Sequence, residues 1–242
     1  MRFRGIITFY VSIISILLFP ACSGEGPPPY LRMAMETEPS TLDPAAAADY
    51  SSGISTSLVH SNLVRIDSRG RIVPDAAERW EISSDGGEYR FELGASRFSN
   101  GRRVTAGDVL YSFRRLLSPA TLSPRWWVLK PLKGAAAFNS GGEWNPRAVE
   151  VVDDSTVILR LEKPAAHFLS LLSTPPAGIV CPEEVKKGDR DYGRRPCGSG
   201  PWMLGRWVRG ESVFLKPNPY FTGKDPEIDG ISIRFLPVAM TR

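Results

Sequence analysis

Histidine is nearly absent from this chain of 242 residues: there are two, His60 and His167, and only three cysteines. That scarcity leaves little for a zinc centre, and no C-x-x-C or H-E-x-x-H spacing occurs. Also missing are G-x-x-x-x-G-K-[ST], G-x-S-x-G and any Lys three residues after a Ser, so neither a phosphate cradle nor a familiar serine nucleophile is written here. His167 sits in apolar Ala165–Leu169 and reads as structural; His60 follows Val59 near a helix end and reads as a C-terminal charge. We therefore expect no catalytic residues, no metal and no cofactor. No large excess of one charge exists either. Thirty Lys+Arg face 26 Asp+Glu, a formal +4 that is too mild and too mixed for nucleic acid. The arginine pairs Arg102-Arg103, Arg114-Arg115 and Arg194-Arg195 read as solvated faces. What is plentiful is glycine (22) and proline (21), which implies many turns and short elements rather than a helical bundle.

No apolar run reaches the ~20 residues of a membrane span. The longest, Ile6–Phe19, follows Arg2 and Arg4 and fits a secretory signal peptide. It ends at Phe19-Pro20-Ala21-Cys22, which resembles a bacterial lipoprotein box with Phe and Pro at two of its usual positions. The resemblance implies cleavage before Cys22, acylation of that residue and stable attachment to a membrane. An ordinary signal cut elsewhere, or an uncleaved anchor, is the other reading. Removing residues 1–21 takes away two arginines and no acid, leaving a formal +2. Residues 22–29 then form a proline-stiffened tether. In an oxidising compartment, Cys181 and Cys197 suggest a disulfide worth ~3 kcal/mol, against the alternative of two free buried thiols.

Local pattern supplies the elements. Tyr30–Met35 alternates loosely, as a first strand; Ile54, Leu58 and Val59 have helical spacing. Tyr89, Phe91 and Leu93 share one face of a strand that pairs with Trp80–Ile82 across Ser84-Asp85-Gly86-Gly87. Thr105 caps a helix with Asp108 three residues on, and Val109, Phe113, Leu116 and Leu117 make its apolar stripe until Ser118-Pro119 stops it. Val149–Val152 and Thr156–Leu161 form a second hairpin, Ala165–Leu172 a short helix, and Ser212–Lys216 and Ile231–Phe235 later strands. Tyr111 and Phe113 are assigned to the core.

Five segments in order carry a family resemblance: Glu38–Pro44; Val73–Ser83; Phe98–Gly101 with Val104–Phe113; Gly198-Ser199-Gly200-Pro201-Trp202; and Asn218–Phe221. Together they resemble the extracytoplasmic solute-binding proteins of peptide/nickel (oligopeptide, dipeptide) ABC transporters, family 5. The resemblance implies an α/β fold: the first lobe of a type II periplasmic-binding-protein fold (residues 30–50 and 179–242) with an inserted mixed α/β subdomain (51–178), the second lobe apparently missing. It implies clamp binding without chemistry, with a peptide or other small solute and an ABC permease as partners, in the periplasm or at the cell surface. Glu38, Pro39 and Ser40 are expected at the cleft. Gly198, Ser199 and Gly200 are expected to allow close backbone approach to ligand or hinge, or simply to form a turn. Trp126 and Trp127 are expected as an aromatic wall, or as core packing. Alternative readings are a truncated remnant that does not bind, a secreted hydrolase, and a purely structural lipoprotein.

Overall fold

The structure, a computed structural model, describes residues 30–188 and 191–236. Tyr30–Met35 forms β1, and a long loop leads from it to the helix α1, Tyr50–Val59. Asp49 caps that helix, its Oδ1 accepting from the Ser52 amide at 2.8 Å. A small hairpin follows, β2 (Val64–Ile66) with β3 (Ile72–Pro74), and then β4 (Ala77–Ile82) with β5 (Glu88–Leu93). The β5 burial alternates as its sequence requires, with Tyr89, Phe91 and Leu93 inward. Next comes α2, Ala106–Leu117, whose stripe Val109, Phe113, Leu116 and Leu117 is at most 1% exposed. Its cap is built around the buried Asp108 carboxylate. This group accepts from the Thr105 amide (2.8 Å), the Thr105 hydroxyl (3.0 Å) and both terminal nitrogens of Arg102 (3.0 and 2.8 Å).

The short helix α3 (Ala135–Asn139) precedes β6 (Val149–Val151) and β7 (Thr156–Arg160). The helices α4 (Phe168–Leu172) and α5 (Pro182–Lys187) lead to β8 (Trp202–Val208), β9 (Ser212–Pro217) and β10 (Gly230–Phe235). Two four-stranded sheets result. One has the order β4-β5-β7-β6, all antiparallel, with β7 buried along most of its length. The other has the order β1-β10-β9-β8, in which β1 runs parallel to β10 in register Tyr30↔Gly230 through Met35↔Phe235.

Each sheet has its own apolar core. The larger gathers Phe91, Phe98, Phe113, Leu159 and Phe168, and extends to Val180, Val185 and Tyr192. The smaller joins Met35, Trp202, Val213, Leu215, Ile231 and Ile233 to Val59 of α1. Each fully buried Leu or Phe in these cores contributes about 1.5–3 kcal/mol relative to exposure. The buried face of α1 carries the small side chains Ser51, Ser52, Ser55 and Thr56, and the chain at Gly198–Gly200 lies close against the backbone of the helix's last residues, Leu58 and Val59.

Candidate functional site

Because β1 and β10 are parallel, their carboxyl ends share one edge of the sheet, where open α/β sheets place ligands. The segment Glu36–Asp49 leaves β1 at that edge and is held at almost every residue. The Glu38 carboxylate accepts from Trp207 Nε1 (2.7 Å), the Gly210 amide (2.8 Å) and Arg194 Nη1 (3.3 Å). The Arg194 guanidinium lies 3.9 Å from the Trp207 ring centre. Burial pushes the Glu38 carboxyl up, but these donors outweigh it and hold it below the usual carboxylate range. Glu38 thus ties the loop to the turn between β8 and β9. Pro39 is buried. Ser40 is exposed, and its hydroxyl donates to Asp49 Oδ2 at 2.7 Å. Thr37 and Ser51 share a hydroxyl hydrogen bond of 2.9 Å.

Deeper in, the buried Asp43 carboxylate accepts a bidentate pair from Arg115 at 2.7 and 2.6 Å. The Leu42 amide donates to Gly193 O at 2.9 Å. A Cβ on Gly193 would stand 1.8 Å from Thr41 Oγ1, so any larger residue must displace that hydroxyl. His60 is buried below the loop, Nε2 facing Leu42 O (3.1 Å) and Nδ1 facing Ile179 O (3.2 Å); burial holds it neutral by lowering its pKa.

Beside this loop lies a cavity of about 480 Å³, within the range of small-ligand pockets. Tyr50 and Ile54 of α1 form one wall; Trp127, Arg125, Pro175 and Pro176 form the other. Tyr50 is 81% exposed and Trp127 46%. Arg125 Nη2 donates to Ala48 O at 2.5 Å and so couples the wall to the loop. The lining is mostly apolar with a few polar groups, a chemistry that accepts an apolar or aromatic side chain and can orient it through backbone and hydroxyl groups. A second cavity, of about 590 Å³, begins at the other end of α1 and shares Ser57 and Pro175 with the first.

The structure separates the expected site residues. Glu38, Pro39 and Ser40 lie at the sheet edge. Trp127 lines the cavity, whereas Trp126 packs against the larger core. Gly198, Ser199 and Gly200 are buried against the end of α1, with the Gly200 amide donating to Val59 O at 2.9 Å, and they line neither cavity. Cys181 and Cys197 are both buried and stand here as free thiols. The solvated reading of the arginine pairs is corrected for one member of each, while Arg103, Arg114 and Arg195 are exposed. Arg102 serves Asp108 and Glu183, Arg115 serves Asp43, and Arg194 serves Glu38. His60 is buried between carbonyls rather than standing as a helix-end charge, while His167 is exposed ahead of α4. Tyr50, Arg125 and Pro175-Pro176 were not anticipated; an aromatic following Asp49 at a helix start was the available signal. Among the described residues no group of His, Cys, Asp and Glu could hold a metal, and no helix is long and apolar enough to cross a membrane. Cys22 and the signal-like segment lie outside the described residues.

A sheet with an open carboxyl edge, carrying a large α/β insertion between its first and remaining strands, is the first lobe of a type II periplasmic-binding-protein fold. The chain belongs to the bacterial extracellular solute-binding proteins, family 5: residues 71–242 match the model of that family's middle part. It is 29% identical over 254 aligned residues to the probable D,D-dipeptide-binding periplasmic protein DdpA of Escherichia coli, covering 98% of this chain and 45% of that one. It is 31% identical to the oligopeptide-binding protein OppA of Bacillus subtilis, covering 81% of this chain and 37% of the relative. The substrate-binding domain of an oligopeptide ABC transporter from Bacillus anthracis superposes with a TM-score of 0.83 at 28% identity, covering 86% of this chain and 41% of that structure. The chain thus spans less than half the length of these relatives.

Proposed function

We propose that this protein is a membrane-tethered solute receptor that delivers a peptide or related small solute to an ABC permease, gripping it without chemistry. Family membership supplies the class. The observation that carries the reading to these residues is the cavity of about 480 Å³ between Tyr50 and Trp127, placed beside the braced loop Glu36–Asp49. In this reading the backbone around Thr37–Ser40 meets the ligand main chain, and the cavity takes one side chain. Cys22 carries the lipid anchor after residues 1–21 are removed, and 22–29 is the tether. Residues 30–50 and 179–242 belong to the first lobe, with 51–178 as the insert.

Titration of the purified chain with di- to oligopeptides, followed by thermal shift and calorimetry, tests this. Saturable stabilisation supports it, and no response to any peptide removes the peptide reading. Trp127→Ala is expected to weaken binding about tenfold or more with little change in unfolding, because half of the ring is exposed in the free protein. A second reading concerns affinity. The described residues form one wall of a clamp, and the chain covers 45% of DdpA, so the 242 residues alone are expected to bind far more weakly than a chain carrying an opposing wall. Labelling with a radioactive fatty acid, lost in Cys22→Ala, tests the anchor.

A further inference from the structure

Cys181 and Cys197 meet inside the molecule. Both thiols are buried. Consecutive residues of one turn serve the two sulfurs: Ser99 Oγ donates to Cys197 Sγ at 3.7 Å, and Asn100 Nδ2 to Cys181 Sγ at 3.5 Å. The Arg102 guanidinium stands 3.9 Å from Cys181 Sγ. Two sulfurs served by adjacent residues of one turn, each with its own donor and with a fixed cation beside Cys181, form a dithiol arranged for oxidation.

We propose that Cys181 and Cys197 are the two halves of a redox-active pair that closes to a disulfide by exchange with a disulfide oxidant, protein or small molecule. It rests on the extracytoplasmic reading only for where the oxidant is met. Cys197 is the first attacker. Its thiol is drawn down to about 7, first by the hydrogen bond from Cys181 and with help from Ser99, while the same contact pushes the Cys181 thiol up. The Cys197 thiolate attacks one oxidant sulfur and displaces the other as a thiol. Cys181 then loses its proton and attacks the Cys197 sulfur, releasing the second thiol. Two S–H bonds are lost and one S–S bond is gained, and the oxidant's S–S becomes two thiols.

The bond would act on the ligand loop. Between the two cysteines lie Tyr192, whose hydroxyl donates to Cys197 O at 3.1 Å, Gly193, which receives Leu42, and Arg194, which holds Glu38. Cross-linking fixes the support on which Glu38–Asp43 rests.

The test takes the full chain, exported by a bacterial host and also equilibrated in oxidised and reduced glutathione. It is denatured with N-ethylmaleimide present, digested with trypsin and weighed. The proposal expects the peptides containing Cys181 and Cys197 to be joined, two hydrogens lighter than their sum and unlabelled until reduced. It also expects a thermal midpoint that falls by about 5–10 °C on reduction. The doubly substituted Cys181→Ser, Cys197→Ser chain should have a midpoint indifferent to reductant. Both cysteines labelled after equilibration with oxidised glutathione overturns the proposal, as does a wild-type midpoint that ignores reductant. A joined pair with no peptide binding would instead remove the receptor reading and leave this one standing.

Discussion

Arg115 and Asp43 are 72 residues apart in sequence and meet with little water around them, their side chains 12% and 7% exposed. A pair so placed gains little over apolar packing, but halving it is costly because the remaining charge stays buried. Arg115→Met is therefore expected to lose about 3–5 kcal/mol in urea denaturation. Two other groups contribute to the pH response in opposite directions. Burial raises Asp75 to about 6, against the donation it receives from the Asn62 amide at 2.7 Å. Below the unfolded value near 4 its proton is held in both states and costs nothing. As pH rises through 6 the folded carboxyl must ionise in place, and up to about 3 kcal/mol of stability is lost. His60 works in the opposite direction, because burial keeps it neutral. Below about pH 6.5 the unfolded chain takes a proton that the fold refuses, so stability falls as pH falls. Asp75→Asn keeps a carbonyl oxygen for the Asn62 amide and discards the charge. Its thermal midpoint is expected to exceed the wild type's at pH 7.5, with the difference vanishing near pH 4. A constant difference across that range would place the cause elsewhere.

At the scale of elements, the close approach of the 198–200 turn to α1 sets a sharp limit. A Cβ on Gly198 would stand 2.0 Å from Val59 O, backbone that cannot swing aside. Gly198→Ala is expected to cost at least about 2 kcal/mol, read as a lowered thermal midpoint, and to loosen α1 in hydrogen exchange. Elements whose signal is local were legible before the structure. Tyr89, Phe91 and Leu93 alternate, and the stripe of α2 repeats at helical spacing, because each pattern is dictated by the element's own geometry. Trp202–Val208 was not legible as a strand. It lacks alternation because a register shift between Leu204 and Arg206 turns its faces midway. Nor could the sequence show that β5 pairs with β7 across the long α2 connection, since register depends on partners far along the chain. The site was legible in part. The Glu38–Ser40 loop stands at the sheet edge outside the cavity, and Trp127 lines that cavity. The roles of Arg115 and Arg194 were hidden because a charge in a sequence carries no information about its distant partner. Adjacent Trp126 and Trp127 part company because the tight 3-10 turn of residues 126–129 sends neighbouring side chains in different directions.

At the scale of the molecule, the two cores differ in size and in how they are closed. The larger is built from Ala45–Cys197, while the smaller needs the first and last described strands together. Among the described residues β10 is the only strand beside β1, and Met35 and Gly230 bracket the whole insert. That arrangement has a consequence during synthesis. A ribosome making this protein releases β1 early, then must add residues 36–229 before its pairing surface arrives. The large core can set while translation continues; the first strand stays exposed and in need of an escort. Ribosome-bound chains stalled before residue 230 should accordingly protect Phe91 and Phe113 from proteases while leaving the Tyr30–Met35 stretch open to cleavage.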